Sequence, residues 1–119
     1  MNKSFFTLFI FTSSLLLFAH DDYEIFDLGN FKLESGEILP NAKLSYVTRG
    51  ELNKNRDNLI LVPSAYLGDH HGFDYLIEPG KALDPDKYFI VATDMFQNGL
   101  SSSPSNTESP YYGPNFPLI

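Results

Sequence analysis

From Tyr88 to Ala92 five apolar or aromatic residues run without interruption, bounded by Asp84-Pro85-Asp86 on one side and Asn98-Gly99 on the other. A continuous short run of this kind predicts a strand covered on both faces, because a sheet with one wet face alternates apolar and polar positions. Asn58-Leu59-Ile60-Leu61-Val62-Pro63 is a second run of the same kind. The two are separated by about two dozen residues, enough for the crossover that a parallel pair needs. That crossover holds Asp74-Tyr75-Leu76-Ile77 and Lys81-Ala82-Leu83 around Pro79-Gly80, which predicts a broken or short helix. Upstream, Tyr23 to Leu28 and Phe31 to Glu34 alternate around Gly29-Asn30 and predict two short strands or one bent strand. Ala42 to Arg49 alternates cleanly with Ala, Leu, Tyr and Thr on one face, a half-buried strand near an edge, with Ser35-Gly36 to Pro40-Asn41 as the turn before it. From Gln97 to Pro117 the chain is rich in Ser, Asn, Pro, Gly and Tyr, and no regular period survives.

The first residues read differently. Lys3 makes a short basic start, Phe5 to Ala19 is mostly apolar, and Asp21-Asp22 follow, the layout of a secretory signal peptide over residues 1–19. The run is shorter than the ~20 residues that span a bilayer comfortably, so cleavage and a secreted or periplasmic product are expected ahead of a membrane anchor. No Cys follows the run, which excludes a lipid-modified thiol anchor.

The 119 residues carry 8 basic and 15 acidic side chains, a net charge of -7, and no cysteine. An acidic, evenly spread balance argues against nucleic acid or anionic lipid as a partner. Without cysteine there is no disulfide, no thiolate metal site and no Cys nucleophile. A mature chain of about 100 residues must then be held by its apolar core alone.

Candidate chemistry is sparse. Ser101, Ser102 and Ser103 follow a buried strand, but Gly99-Leu100-Ser101-Ser102-Ser103 lacks the second glycine of Gly-x-Ser-x-Gly and runs into Pro104, so a polar loop is expected instead of a nucleophile elbow. His70-His71 with Asp69 and Asp74 gathers metal-capable groups. Adjacent histidines on one loop seldom converge on one ion, so a solvated or loop-anchoring pair is expected and no metal. The third histidine, His20, lies at the expected cleavage point. No phosphate-cradling glycine pattern occurs, hence no cofactor is expected. Asp84 and Asp86 flank Pro85 and are read as turn residues. The loop Ser64-Ala65-Tyr66-Leu67-Gly68 after the strand ending at Pro63 is the most suggestive stretch, since backbone N–H groups in such a loop can serve an oxyanion.

Several ordered blocks carry a resemblance. They are Leu33-Glu34-Ser35-Gly36-Glu37-Ile38-Leu39-Pro40-Asn41-Ala42-Lys43-Leu44-Ser45-Tyr46, Gly50-Glu51-Leu52-Asn53, Leu76-Ile77-Glu78-Pro79-Gly80-Lys81-Ala82-Leu83-Asp84, Tyr88-Phe89 and Asn98 to Asn106. Over roughly residues 31–117 the chain resembles the N-terminal part of the homoserine O-acetyltransferase-like family of α/β-hydrolases. The resemblance implies an incomplete α/β-hydrolase fold over residues 20–119, truncated before the nucleophile elbow. It implies a Ser acyl-enzyme chemistry on a small-molecule acyl ester or acyl donor, with the Ser, Asp and His all beyond Ile119 and the chain inactive alone. Within this sequence it assigns only Tyr66, whose backbone N–H would serve the oxyanion hole. True homoserine acetyltransferases have His-Ala-Leu-Thr-Gly where this chain has Ser64-Ala65-Tyr66-Leu67-Gly68, and Glu78 replaces the Gly before Pro79-Gly80. These departures point to a hydrolase of acyl esters. The implied strand order sets Tyr88 to Ala92 between Ala42 to Arg49 and Leu59 to Val62, leaving the last strand an apolar edge open to pairing with another chain. A non-catalytic exported binding protein, or a truncated gene product, is the alternative.

Overall fold

The computed structural model describes residues 22–119, so the expected signal peptide over residues 1–19 and His20 lie outside the described residues. Four strands form one mixed sheet: β1 (Glu24–Lys32), β2 (Ile38–Arg49), β3 (Leu59–Pro63) and β4 (Phe89–Thr93), in the order β1-β2-β4-β3. β1 and β2 form an antiparallel hairpin, β2 and β4 are antiparallel, and β3 runs parallel to β4 with Leu59 opposite Phe89 and Pro63 opposite Thr93. The strand order and the parallel pair are those the sequence implied. Among the described residues, no helix is long and apolar enough to cross a membrane.

Of the two readings of the first segment the bent strand is the one found, and two expectations for β2 are corrected. The first segment is one strand, bent by register shifts at Asp27/Gly29 and Gly29/Phe31, with Gly29 at φ 60 and its N–H held by Asp27 Oδ1 at 2.8 Å. Pro40-Asn41 does not precede β2 but lies inside it. Asn41 takes φ 49 where the hairpin register shifts, and a bulge is a place in a ladder that tolerates a proline without an N–H. The turn is Leu33 to Glu37, closed by Gly36 N–H to Leu33 O at 3.0 Å and Leu33 N–H to Glu37 O at 2.9 Å. Along β2, Leu44, Tyr46 and Thr48 are half-buried while Ser45 and Val47 are buried, so the better-covered face from Ser45 onward is the opposite of the one the alternation suggested.

The crossover from β3 to β4 is a chain of turns with a single 3-10 turn at Asp74–Leu76, the short form of the broken or short helix expected there. Gly68, Gly72 and Pro79-Gly80 interrupt any apolar stripe long enough to dock a helix. No α-helix covers the sheet among the described residues. Of the two runs read as fully covered, Ile90 and Ala92 in β4 are buried, but Leu59 and Leu61 in β3 are 51% and 59% exposed. Among the described residues β3 has β4 as its one ladder neighbour, and both leucines face solvent.

The core lies where the chain returns on itself. Leu33, Leu39, Ala42 and Phe116 form a buried cluster with Leu28 and Phe96 against it, and the Phe31 and Phe96 rings sit 5.9 Å apart. The irregular stretch after β4 thus closes over the hairpin.

Candidate functional site

Because β3 and β4 are parallel, they end side by side at Pro63 and Thr93, and the loops that leave them share one rim. Ligands of open α/β sheets bind at this carboxyl end. Ser64 extends the pairing by one step: its N–H donates to Thr93 O at 2.8 Å and its Oγ accepts from Met95 N–H at 3.0 Å. A tight turn follows, closed by Gly68 N–H to Ala65 O at 2.9 Å, with Leu67 at φ 61. That conformation is unfavourable for a leucine, so the fold holds strain here. Tyr66 and Leu67 are each 91% exposed. Among the described residues the Tyr66 N–H meets no acceptor within hydrogen-bond distance. A groove of about 470 Å³ opens beside the turn between Leu67, Gly68, Asp69, Gly72, Asn98 and Leu100.

Beneath the rim lies a buried carboxylate. Asp94, the first residue after β4, accepts four hydrogen bonds: from His70 N–H (2.8 Å) and Asn98 Nδ2 (3.0 Å) at Oδ1, and from the Ser45 hydroxyl (2.7 Å) and His70 Nδ1–H (2.8 Å) at Oδ2. It locks the crossover loop to β2. Ser, Asp and His are all present, yet this is not a nucleophilic triad. In a triad the imidazole stands between hydroxyl and carboxylate to take the proton, whereas here the carboxylate stands between them and the group is enclosed.

The serines read as a polar loop are such a loop, but a buried one: Ser101, Ser102 and Ser103 are at most 7% exposed. Where β4 ends, they take over as partners of β2. Ser101 Oγ accepts the Ser45 N–H at 2.9 Å and donates to Asp94 O at 2.7 Å, while Ser102 Oγ accepts the Lys43 N–H at 2.9 Å. Asn106 ties the same loop to Gly99 O and Ser101 O. Hydroxyls spent in this way cannot serve as nucleophiles. Asp84 keeps the turn role expected of it, accepting Gly80 N–H and Asp86 N–H at 3.0 Å each, and these bonds hold its carboxyl below the usual range.

The histidines divide. His70 is 4% exposed and anchors the loop through Asp94, while His71 is exposed and bonded through Nδ1 to Asp74 Oδ2 at 2.7 Å. That bond, with the charges of Asp22, Asp74 and Asp69, raises the His71 pKa against the effect of burial. Asp22, just before β1, reaches both rings, with Oδ1 3.3 Å from His70 Nε2 and Oδ2 3.2 Å from His71 Nε2. Burial pushes the Asp22 carboxyl up, but the His70 hydrogen bond and the two imidazoles outweigh it and hold it below its usual value. Of the expected solvated or loop-anchoring pair, His70 is the anchor and His71 the solvated member; the sequence did not show that Asp22, 48 residues from His70, lies against both. Sequence reasoning also missed Ser45 and Asp94. An Asp placed directly after an apolar strand was the available signal for Asp94; Ser45 carried none.

No protein-family model matches the chain. It is 40% identical over 98 residues to an ethyl acetate hydrolase of Pseudomonas veronii, covering 82% of this chain and 28% of that protein. It is 43% identical over 86 residues to a probable esterase of Corynebacterium glutamicum, covering 71% and 25%. With a homoserine O-acetyltransferase of Methanococcoides burtonii it shares 36% over 108 residues, covering 76% and 22%. Among solved structures, an acetylester hydrolase from Corynebacterium glutamicum superposes with TM-score 0.78 at 38% identity, over 82% of this chain and 28% of that one. A homoserine O-acetyltransferase from Bacillus anthracis does so with TM-score 0.60 at 32% identity, over 64% and 24%. The chain therefore spans about a quarter of the curated relatives it matches. In sequence and in fold it corresponds to the N-terminal portion of the homoserine O-acetyltransferase-like α/β-hydrolases, a group whose matched members carry the names of acetyl-ester hydrolases and homoserine O-acetyltransferases.

Proposed function

We propose that this chain is the front of an exported acyl-ester hydrolase, or of a closely related O-acyltransferase, and that it supplies the Tyr66 backbone N–H to the oxyanion hole. The observation that carries the reading is the strained Ala65–Gly68 turn at the carboxyl end of β3, with Leu67 at φ 61 and a Tyr66 N–H without a described acceptor. In acyl transfer the carbonyl oxygen of the bound ester gains negative charge as the tetrahedral intermediate forms. A donor fixed in advance stabilises that charge without reorganising at the moment of reaction. By the family resemblance the Ser that attacks, and the Asp and His that serve it, lie beyond the matched stretch. Ester hydrolysis is favoured over homoserine acetylation by Ser64, Tyr66 and Leu67, which stand where the transferases carry His, Leu and Thr. Export rests on the apolar run Phe5 to Ala19 behind Lys3.

The test has two parts. The 119-residue chain alone should not hydrolyse p-nitrophenyl acetate. Joined to the remainder of the Pseudomonas veronii ethyl acetate hydrolase in place of the matched stretch, it should do so, and Tyr66→Pro should lower kcat about 10²–10³-fold with little change in KM. Proline suits the second position of a turn of this type, so the substitution removes the N–H and keeps the turn. An unchanged kcat in Tyr66→Pro would overturn the assignment.

A second reading has its own observation. β3 is an edge strand with Leu59 and Leu61 more than half exposed. Such an edge pairs with a further strand, from the same protein or from another chain. If the edge drives association, the isolated chain should form concentration-dependent oligomers by light scattering, and Leu61→Lys should shift them toward monomer. A monomer at every concentration would remove this reading.

A further inference from the structure

We infer that Asp22, His70 and His71 form a binding site for a divalent late transition-metal ion, zinc being the representative case. The three ligand atoms, one from each residue, lie within 4.8 Å of one another. The two imidazole Nε2 atoms face the same carboxylate at 3.3 and 3.2 Å. An ion with bonds of about 2.0–2.1 Å in tetrahedral geometry sets neighbouring donors about 3.3–3.4 Å apart, so binding draws donors now up to 4.8 Å apart in to that spacing, with the exposed His71 and Asp22 side chains free to shift.

A convergence of side chains is common on protein surfaces. What distinguishes this one is how the rings are held. A metal-binding histidine almost always donates its second ring N–H to a carboxylate or carbonyl, which fixes the tautomer and aims the other nitrogen at the ion. Both rings here have that partner: His70 Nδ1 lies 2.8 Å from Asp94 Oδ2, and His71 Nδ1 lies 2.7 Å from Asp74 Oδ2. With Nδ1 held in this way, the Nε2 proton that each ring presents to Asp22 is the one an incoming ion displaces, leaving the Nε2 lone pair to the metal. Asp94 is itself immobilised by four hydrogen bonds, so the His70 ring is fixed before any ion arrives.

The donor set selects the class of ion. Two imidazoles and one carboxylate, without thiolate, suit zinc, nickel or copper, whereas magnesium and calcium want several oxygen ligands. The His71 and Asp22 side chains are 46% and 38% exposed, so solvent can reach a fourth position. Closing the site would tie the segment before β1 to the loop that follows the Ala65–Gly68 turn. This role is independent of ester chemistry.

The test uses the full 119-residue chain, stripped with chelator and titrated with zinc chloride by calorimetry and with Co²⁺ by visible absorption. One equivalent should bind, with Co²⁺ giving ligand-field bands and zinc raising the Tm. His71→Ala and Asp22→Asn should each weaken binding at least tenfold; both side chains are partly exposed, and circular dichroism checks that each variant is folded. Asp74→Asn leaves all three donors in place and should weaken binding about 10–100-fold through the loosened His71 ring. Absence of saturable binding at one equivalent would overturn the inference, as would binding that survives both His71→Ala and Asp22→Asn.

Discussion

At the scale of single residues, Asp94 decides most. Its two oxygens hold β2, the crossover loop and the loop after β4 together through Ser45, His70 and Asn98. Asp94→Asn replaces one acceptor oxygen by a donor that would face either Ser45 Oγ and His70 Nδ1 or the His70 N–H and Asn98 Nδ2. Breaking a buried charged network of this kind costs about 3–5 kcal/mol, which urea denaturation should register as a lowered midpoint without a changed slope. Leu67 behaves in the opposite way. Its left-handed backbone costs about 1–2 kcal/mol, and glycine removes that cost while adding about 0.5–1 kcal/mol of unfolded-state entropy. Leu67→Gly should therefore raise stability slightly, and a clear loss in the same denaturation experiment would refute the strain assigned to the turn.

At the scale of elements, the end of β2 and the start of β4 meet at a glycine. Gly50 has φ 76, and a Cβ on it would meet the Tyr88 carbonyl oxygen and lie 2.5 Å from the Pro85 carbonyl oxygen. Both obstacles are backbone, so they cannot swing aside. Gly50→Ala should lower the Tm by several degrees, combining a strained φ of about 1–2 kcal/mol with displacement of the Asp84–Tyr88 turn. Alternation misled the reading of β2 for a reason that also belongs to this scale. Both register shifts lie outside Ala42 to Arg49 on β2, so its alternation stands; what covers the Ser45 face is the loop after β4, through Asp94 and Ser101, a long-range contact that alternation along one strand cannot show.

For the molecule as a whole, stability should pass through a maximum in mildly acid solution when a chelator is present. Asp84 has a folded pKa below 3.8, so its contribution is complete above that value and is lost as pH falls through the folded pKa. His71 has a folded pKa above 6.5, so its contribution is complete below that value and is lost as pH rises through the folded pKa. Thermal melts across this range should show Asp84→Asn flattening the acid limb and His71→Gln flattening the neutral one. Proton titration of the His71 ring followed by NMR gives the direct check, and a midpoint at or below 6.5 would contradict the Asp74 hydrogen bond as its cause.

The sequence by itself determined the strands, the parallel pairing of the two apolar runs, the strand order through the family resemblance, and the turn role of Asp84. The strands, the parallel pairing and the Asp84 turn rest on local composition or on spacing along the chain; the strand order rests on the resemblance alone. Only the tertiary structure decided that Ser101 and Ser102 are partners of β2, that Asp94 links Ser45 to His70, and that Asp22 meets the two histidines. These contacts join residues up to 59 apart, and their donors and acceptors are ordinary polar residues whose surroundings depend on how the sheet closes. Burial differed for the same reason. Leu59 and Ile90 look alike as letters, but one lies on an edge strand and the other between two neighbours.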